Sequence, residues 1–267
     1  MSKFVRETAP TWLPRPTTFI LIAVLTAGCA SVNHLREAQD AFNQGAEAEN
    51  AQRLTGNSPK EALASLTAAR TSYASALLSL DQLSDSDKQS LSNDGLLGTA
   101  LTLKALCQWR LSFYDKALAT AAEANSKVPE QIYPRDRALL LALPGLIKTD
   151  QAYEKILRKE SFNDVKDLLV GSNGAVANIQ SARGAVGKDH PVQSYLIQAQ
   201  LAAYRNYMVA VDTLQSHATI PSDDPARLQA QQQLQELNGL LKLSGDDAQR
   251  KALIQYWARL CALEVPS

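Results

Sequence analysis

The side chains in this sequence whose types suit them best to chemistry are three cysteines, Cys29, Cys107 and Cys261. A thiol can form a disulfide, bind a metal ion or carry a covalently attached group. Cys107 and Cys261 both lie in apolar stretches with helical spacing, where a free cysteine commonly acts as a small buried hydrophobic residue. Two interpretations stay open for this pair: one disulfide, or two buried thiols, which the apolar surroundings favour.

Motifs for metal binding and for nucleophilic catalysis are missing from the sequence. The three histidines, His34, His190 and His217, are not spaced as His-x-x-x-His or His-Glu-x-x-His, and no Cys-x-x-Cys pair occurs. No serine stands three positions before a lysine, and there is no Gly-x-Ser-x-Gly. We therefore predict a protein without a metal, without a cofactor and without enzymatic activity. For His190 we predict a structural role at the start of a helix.

Composition limits both the fold and the partners. Alanine and leucine contribute 40 and 39 of the 267 residues, against only 12 glycines and 11 prolines, so strong helix formers dominate. Basic and acidic residues number 27 each, whereas a protein that neutralises nucleic-acid phosphates normally has a basic excess. The sequence therefore predicts an all-α globular protein that does not bind nucleic acid.

The amino-terminal residues have the layout of a signal peptide. Three basic residues, Lys3, Arg6 and Arg15, precede an uncharged apolar run that gives way to small residues and then to Cys29. The apolar stretch over residues 19–30 is shorter than the ~20 residues that a helix needs to cross a membrane. We therefore predict a signal peptide over residues 1–28 and a single helical domain over residues 29–267.

Residues 25–29, LTAGC, resemble the lipobox of bacterial lipoproteins. The resemblance implies cleavage before Cys29, a diacylglycerol on its thiol and a third acyl chain on its freed amine. Two or more acyl chains give stable membrane anchoring. Ala30 follows the cysteine in place of the aspartate that marks inner-membrane retention, so the resemblance implies the outer membrane, with the body facing the periplasm. The alternative is an ordinary secretory signal that happens to end in a cysteine.

Signals for helix starts and ends divide the rest of the chain. A first helix is predicted from about 33 to 53, and residues 58–61, SPKE, begin a second with an N-cap serine, a first-turn proline and a capping-box glutamate. Further helices are predicted over 96–111, over 114–126 and over 136–160, the last with a kink or break at Pro144-Gly145. Three more are predicted toward the carboxyl end: one from His190-Pro191 to 214, one that begins at Asp223-Asp224-Pro225, and a last helix that ends at about 263. Residues 162–188 hold four glycines and predict either one loosened helix or a helix with loops at each end.

Residues 96–129 resemble one unit of the tetratricopeptide repeat family. Small, aromatic and proline residues fall at the positions of that pattern of about 34 residues, namely Ala105, Tyr114, Ala117, Ala124 and Pro129. The resemblance implies antiparallel helical hairpins that approach one another through small side chains and stack into a solenoid. The alternative is an irregular helical bundle without repeats, and both are all-α.

Five residues near the carboxyl end have the types that are enriched at the centres of protein interfaces. Tyr204, Arg205 and Tyr207 lie on one predicted helix, and Tyr256 and Trp257 lie on the last. They form a candidate partner surface, although aromatic residues at helical spacing are also typical of a core, and burial is the favoured interpretation.

By resemblance, tetratricopeptide lipoproteins serve as scaffolds for β-barrel insertion, as pilotins or as regulators of wall synthesis. The sequence therefore predicts a non-enzymatic scaffold or adaptor of an envelope protein complex. Two alternatives stay open. One is an enzyme or enzyme regulator that acts on peptidoglycan, because Glu160-Ser161 and residues 184–187 resemble lytic transglycosylases. The other is a lipoprotein that carries a small ligand in a helical pocket.

Overall fold

The computed structural model describes residues 30–55, 59–215, 220–242 and 247–266. Within those ranges the chain forms eleven α-helices, a short 3-10 helix at Pro129–Gln131 and no strand, which confirms the all-α fold class. The helices are α1 (Ala30–Thr55), α2 (Pro59–Asp81), α3 (Asp85–Asn93), α4 (Leu97–Arg110), α5 (Tyr114–Lys127), α6 (Pro134–Leu157), α7 (Phe162–Val170), α8 (Ala175–Gly184), α9 (Val192–Leu214), α10 (Pro225–Lys242) and α11 (Asp247–Leu260). The predicted signal peptide, Cys29 and the predicted N-cap Ser58 lie outside the described residues.

Two of the predicted helix starts are held by polar side chains that bind free backbone N–H groups. At the start of α10, Asp224 Oδ1 accepts hydrogen bonds from the N–H groups of Ala226 at 2.8 Å and Arg227 at 3.2 Å. At the start of α9, His190 Nδ1 accepts a hydrogen bond from the N–H of Val192 at 3.2 Å. Because the first N–H groups of a helix have no partner within it, such acceptors fix where it begins.

Helix α6 continues through Pro144, so of the kink or break predicted at Pro144-Gly145 the break is wrong. The reason lies in the packing of Gly145 against α8. A Cβ atom at this position would stand only 2.7 Å from the carbonyl oxygen of Ala175 and 2.8 Å from Cγ1 of Ile179. The glycine therefore permits a close approach of two helices, and the contacts with α8 hold α6 together across the proline.

The glycine-containing region that follows contains two helices, α7 and α8, and not the single helix of either predicted alternative. A tight turn joins them, in which the N–H of Gly174 donates to the carbonyl oxygen of Gly171 at 2.8 Å. A Cβ atom on Gly174 would lie 2.8 Å from the carbonyl oxygen of Leu169, so a larger residue does not fit here without movement of the backbone. The short helix α3, begun by a capping box at Ser84, is a second element that the sequence analysis missed.

Helices α6 and α9 connect the parts of the core. Buried residues of α9, α10 and α11 form one cluster with α7 and the end of α6. A second cluster joins α4, α5, α6 and α8 to the start of α9, and a third joins α1, α2, α3 and α4. Helices α4 and α5 form a hairpin with Ala105, Ala117 and Ala124 fully buried between them. The long helices α6 and α9 thereby bring residues from distant parts of the sequence into shared buried clusters.

Candidate functional site

Three of the five residues predicted as a partner surface belong to the core. Tyr204, Tyr207 and Trp257 are buried among α9, α10 and α11. The Tyr204 hydroxyl donates to Oε1 of Gln229 at 2.8 Å, and the Tyr207 hydroxyl donates to Oδ2 of Asp224 at 3.3 Å. A buried aromatic side chain with a polar end needs such a partner. The partner-surface hypothesis is therefore wrong for these three residues, and the burial that the sequence favoured is confirmed.

The other two residues of that set, Arg205 and Tyr256, are half-buried. The Arg205 guanidinium lies 5.5 Å from the centre of the Tyr153 ring and donates to Oδ1 of Asn206. Tyr256 packs edge-on against Trp257, with ring centres 5.3 Å apart. These side chains are used in contacts within the fold, so the structure does not bring the five residues together as one exposed patch.

Cys107 and Cys261 are both free and buried, in different clusters of the core. The disulfide alternative is therefore wrong, and the buried-thiol alternative describes the fold. Burial raises the pKa of the Cys107 thiol far above its usual range and raises the pKa of the Cys261 thiol to about 12. Neither thiol has the depressed pKa that a nucleophilic cysteine requires.

Glu160, on which the wall-enzyme alternative depends, lies in the turn between α6 and α7. Its carboxylate forms an ion pair with Lys155, and the second oxygen lies 3.9 Å from Nη1 of Arg158. Lys159, just before it, has a φ of +55°, which marks the sharp reversal of the chain at this turn. The charge of Glu160 is thus used in ion pairs at a helix end.

A small opening, called the groove below, lies over α4, with α1 forming one wall and α6 the other. Helix α1 packs mainly on α2 and only lightly on α4, whereas α6 packs firmly on α4. The opening between the two walls contains a cavity of about 30 Å³, enough for one or two water molecules. Apolar and polar side chains alternate around it, among them Gln39, Asn43, Thr99, Leu106, Arg135 and Asp136.

One end of the groove carries a buried, ion-paired carboxylate. Asp136 is 1% exposed, and its Oδ1 accepts hydrogen bonds from Nε and Nη2 of Arg135 at 2.9 and 2.7 Å. Its other oxygen accepts from the hydroxyl of Thr99 on α4 at 3.0 Å. On the opposite wall, Oδ1 of Asn43 is buried and has no hydrogen-bond partner among the described residues. This end of the groove therefore offers an unused acceptor close to a satisfied charge pair.

At the far end of α4, Arg110 stacks on two aromatic rings. Its guanidinium lies 4.1 Å from the centre of the Trp109 ring and 5.9 Å from that of Tyr73, and Nη1 is 3.2 Å from Oε2 of Glu49 on α1. Burial alone would lower the pKa of Arg110, but Glu49 reverses the effect and raises it, so the guanidinium stays charged. Trp109 donates through Nε1 to Oδ2 of Asp150 on α6 at 2.7 Å.

This second cluster joins the two walls of the groove to its floor. Glu49 belongs to α1, Arg110 and Trp109 to α4, and Asp150 to α6, so three helices far apart in sequence are linked by charged and hydrogen-bonded contacts. The sequence analysis passed over these residues because each is unremarkable in its own helix. The one sequence feature that could have pointed to them is the Trp109-Arg110 pair at the end of an apolar helix.

Within the described ranges no three His, Cys, Asp or Glu side chains converge as metal ligands do. None of the described helices combines the length and the apolar character of a membrane-spanning helix. No protein-family model, no curated protein and no solved structure matches this chain.

Proposed function

We propose that this protein is a lipid-anchored adaptor of the bacterial envelope, tethered to the outer membrane through Cys29, and that its helical body binds another protein in the groove across α4. The anchor follows from the resemblance of residues 25–29 to a lipobox and from the basic and apolar residues before it. The groove is the single structural observation that supports a binding function.

The shape of the groove favours a protein partner over a small ligand. Pockets that hold metabolites typically enclose about 300–1,000 Å³, whereas the cavity between α1 and α6 encloses about 30 Å³. A small opening with both apolar and polar lining suits the entry of a side chain from a helix or an extended segment of another protein. Leu103 and Leu106 supply the apolar floor, and Asn43 supplies a free acceptor.

The peptidoglycan-acting alternative has less support. A glutamate that cleaves a glycosidic bond must approach the scissile oxygen and donate its proton there. Glu160 is held in a turn, where its carboxylate is engaged by Lys155 and Arg158.

The proposal is tested by site-specific photo-crosslinking in cells. A photoreactive amino acid replaces Gln39, which lines the groove, or Gln44, an exposed glutamine of the same helix that does not line it. We expect one defined adduct, to the same protein in replicate preparations, from position 39 and none from position 44. Equal adducts from both positions, or none from position 39, would contradict binding in the groove.

A further inference from the structure

Helix α1 is described from Ala30, the residue that follows the predicted lipid attachment site. It is packed into the fold close to this point, because Ser31 is 1% and Leu35 is 2% exposed. Leu35 belongs to the same buried cluster as Leu80 at the end of α2 and Leu83 in the turn that follows. The chain therefore has no flexible linker between Cys29 and the helical body.

The turn between α2 and α3 and the first turn of α3 flank this start of α1. Ser84 and Asp87 form a reciprocal capping box, in which Asp87 Oδ2 accepts from the backbone N–H of Ser84 at 3.0 Å. Hydrogen bonds from Ser84 lower the pKa of the Asp87 carboxyl. Helix α3 contacts α1 directly, and Leu91 of α3 lies in the same buried cluster as Leu35. The two elements thus form one rigid end of the bundle.

This end has no electrostatic attraction to an anionic membrane. Residues 81–94 contain four aspartates and one lysine. Asp81 pairs with Lys104 and Asp85 pairs with Lys88, and Arg36 on α1 is outnumbered by these acidic residues. Because anionic headgroups attract basic segments and repel acidic ones, only a covalent tether would hold this end close to the bilayer.

We propose that this end of the bundle, made of the first turn of α1, the α2–α3 turn and the first turn of α3, lies next to the bilayer surface and faces zwitterionic lipid headgroups. The inference rests on the proposed anchoring at Cys29. A residue that carries acyl chains sits at the headgroup level, and the next residue is about 3.8 Å away in Cα position. The end of the bundle that contains Ala30 therefore has no room to swing away from the surface.

The orientation also sets the height of the groove above the membrane. With a rise of about 1.5 Å per residue, the groove residue Gln39 lies about 14 Å along α1 from its start, and Glu49 lies about 29 Å along it. A partner in the groove is then engaged within about 30 Å of the bilayer. This distance favours a partner that is itself in or on the membrane.

The test uses a fluorescent amino acid in place of Gln82, in the α2–α3 turn, or in place of Ala68, an exposed residue of α2 about 20 Å farther along the hairpin. The protein is anchored in phosphatidylcholine vesicles that carry a quencher on the headgroup. One arm uses the acylated chain purified from cells. The other uses the chain from Cys29 onward, coupled through that thiol to a maleimide phospholipid, since the buried Cys107 and Cys261 react poorly.

We expect the probe at position 82 to lose most of its fluorescence in both arms, and the probe at position 68 to keep the signal it has without vesicles. Equal quenching at the two positions, or stronger quenching at position 68, in the chemically anchored arm would overturn the inference. The mass of the protein from cells reports separately on the anchor. An unacylated chain there would contradict the proposed tether, while the second arm still decides the orientation.

Discussion

The substitution Gly145→Ala tests how closely α6 and α8 pack. The new Cβ atom would lie 2.7 Å from the carbonyl oxygen of Ala175 and 2.8 Å from Cγ1 of Ile179. The first of these neighbours is backbone and the second is a fully buried side chain, so neither yields at low cost. Helix α8 would have to shift away from α6, and packing contacts would be lost along the interface between the two helices.

Overpacking of this kind costs about 1–3 kcal/mol. Replacing a helical glycine by alanine returns at most about 1 kcal/mol through helix propensity. We therefore expect the free energy of unfolding to fall by about 1–2 kcal/mol, which in a chain of this size lowers Tm by roughly 2–8 °C. The matched control is Gly239→Ala in α10, where nothing lies within 4 Å of the added atom. There we expect a gain of about 0.5–1 kcal/mol.

Urea unfolding followed by circular dichroism measures both variants. The two substitutions are chemically identical and differ only in the space around the added methyl group. Opposite signs of the change in the unfolding free energy, at an unchanged m-value, would agree with the packing described. A Gly145→Ala protein as stable as the parent would refute the close approach of α6 and α8.

Three further predictions concern residues away from that interface. Arg183→Met removes the hydrogen bonds to Oε1 of Gln193 and Gln200, leaves buried amide oxygens unpaired and should lower the unfolding free energy by about 2–3 kcal/mol in the same urea assay. Alkylation of Cys107 and Cys261 should be slow in the folded protein and should not speed up between pH 7 and 9, because burial raises both thiol pKa values; rapid reaction before unfolding would contradict their burial. Glu160→Gln should leave wall-digestion activity at the level of the parent, and a loss of activity on this change would restore the enzymatic alternative.

Sequence patterns located the helices with strong local signals. The hairpin of α4 and α5 and the starts of α9 and α10 were all predictable, because caps, prolines and apolar spacing act within a few residues. The apolar stretches around Cys107 and Cys261 also favoured their burial. These features depend on local chemistry and on the period of one helix.

Features that depend on pairs of helices could not be predicted in the same way. Gly145 is indistinguishable in sequence from a helix-breaking glycine until the backbone of α8 is placed against it. A run of glutamines such as that in α10 is typical of a solvated helix face, yet Gln229 and Gln233 bind Tyr204 and Arg183 on neighbouring helices. The groove is formed by three helices together, and no sequence motif specifies which helices become neighbours.

The central claim is that a membrane tether at Cys29 presents the groove to an envelope partner. Its most direct test compares crosslinks from a photoreactive residue at position 39 in the parent chain and in Cys29→Ala, in separated membrane fractions. The account predicts one defined partner in the outer-membrane fraction of the parent and its loss in the Cys29→Ala chain. The same partner recovered equally from both chains, or no specific partner from the parent, would contradict it.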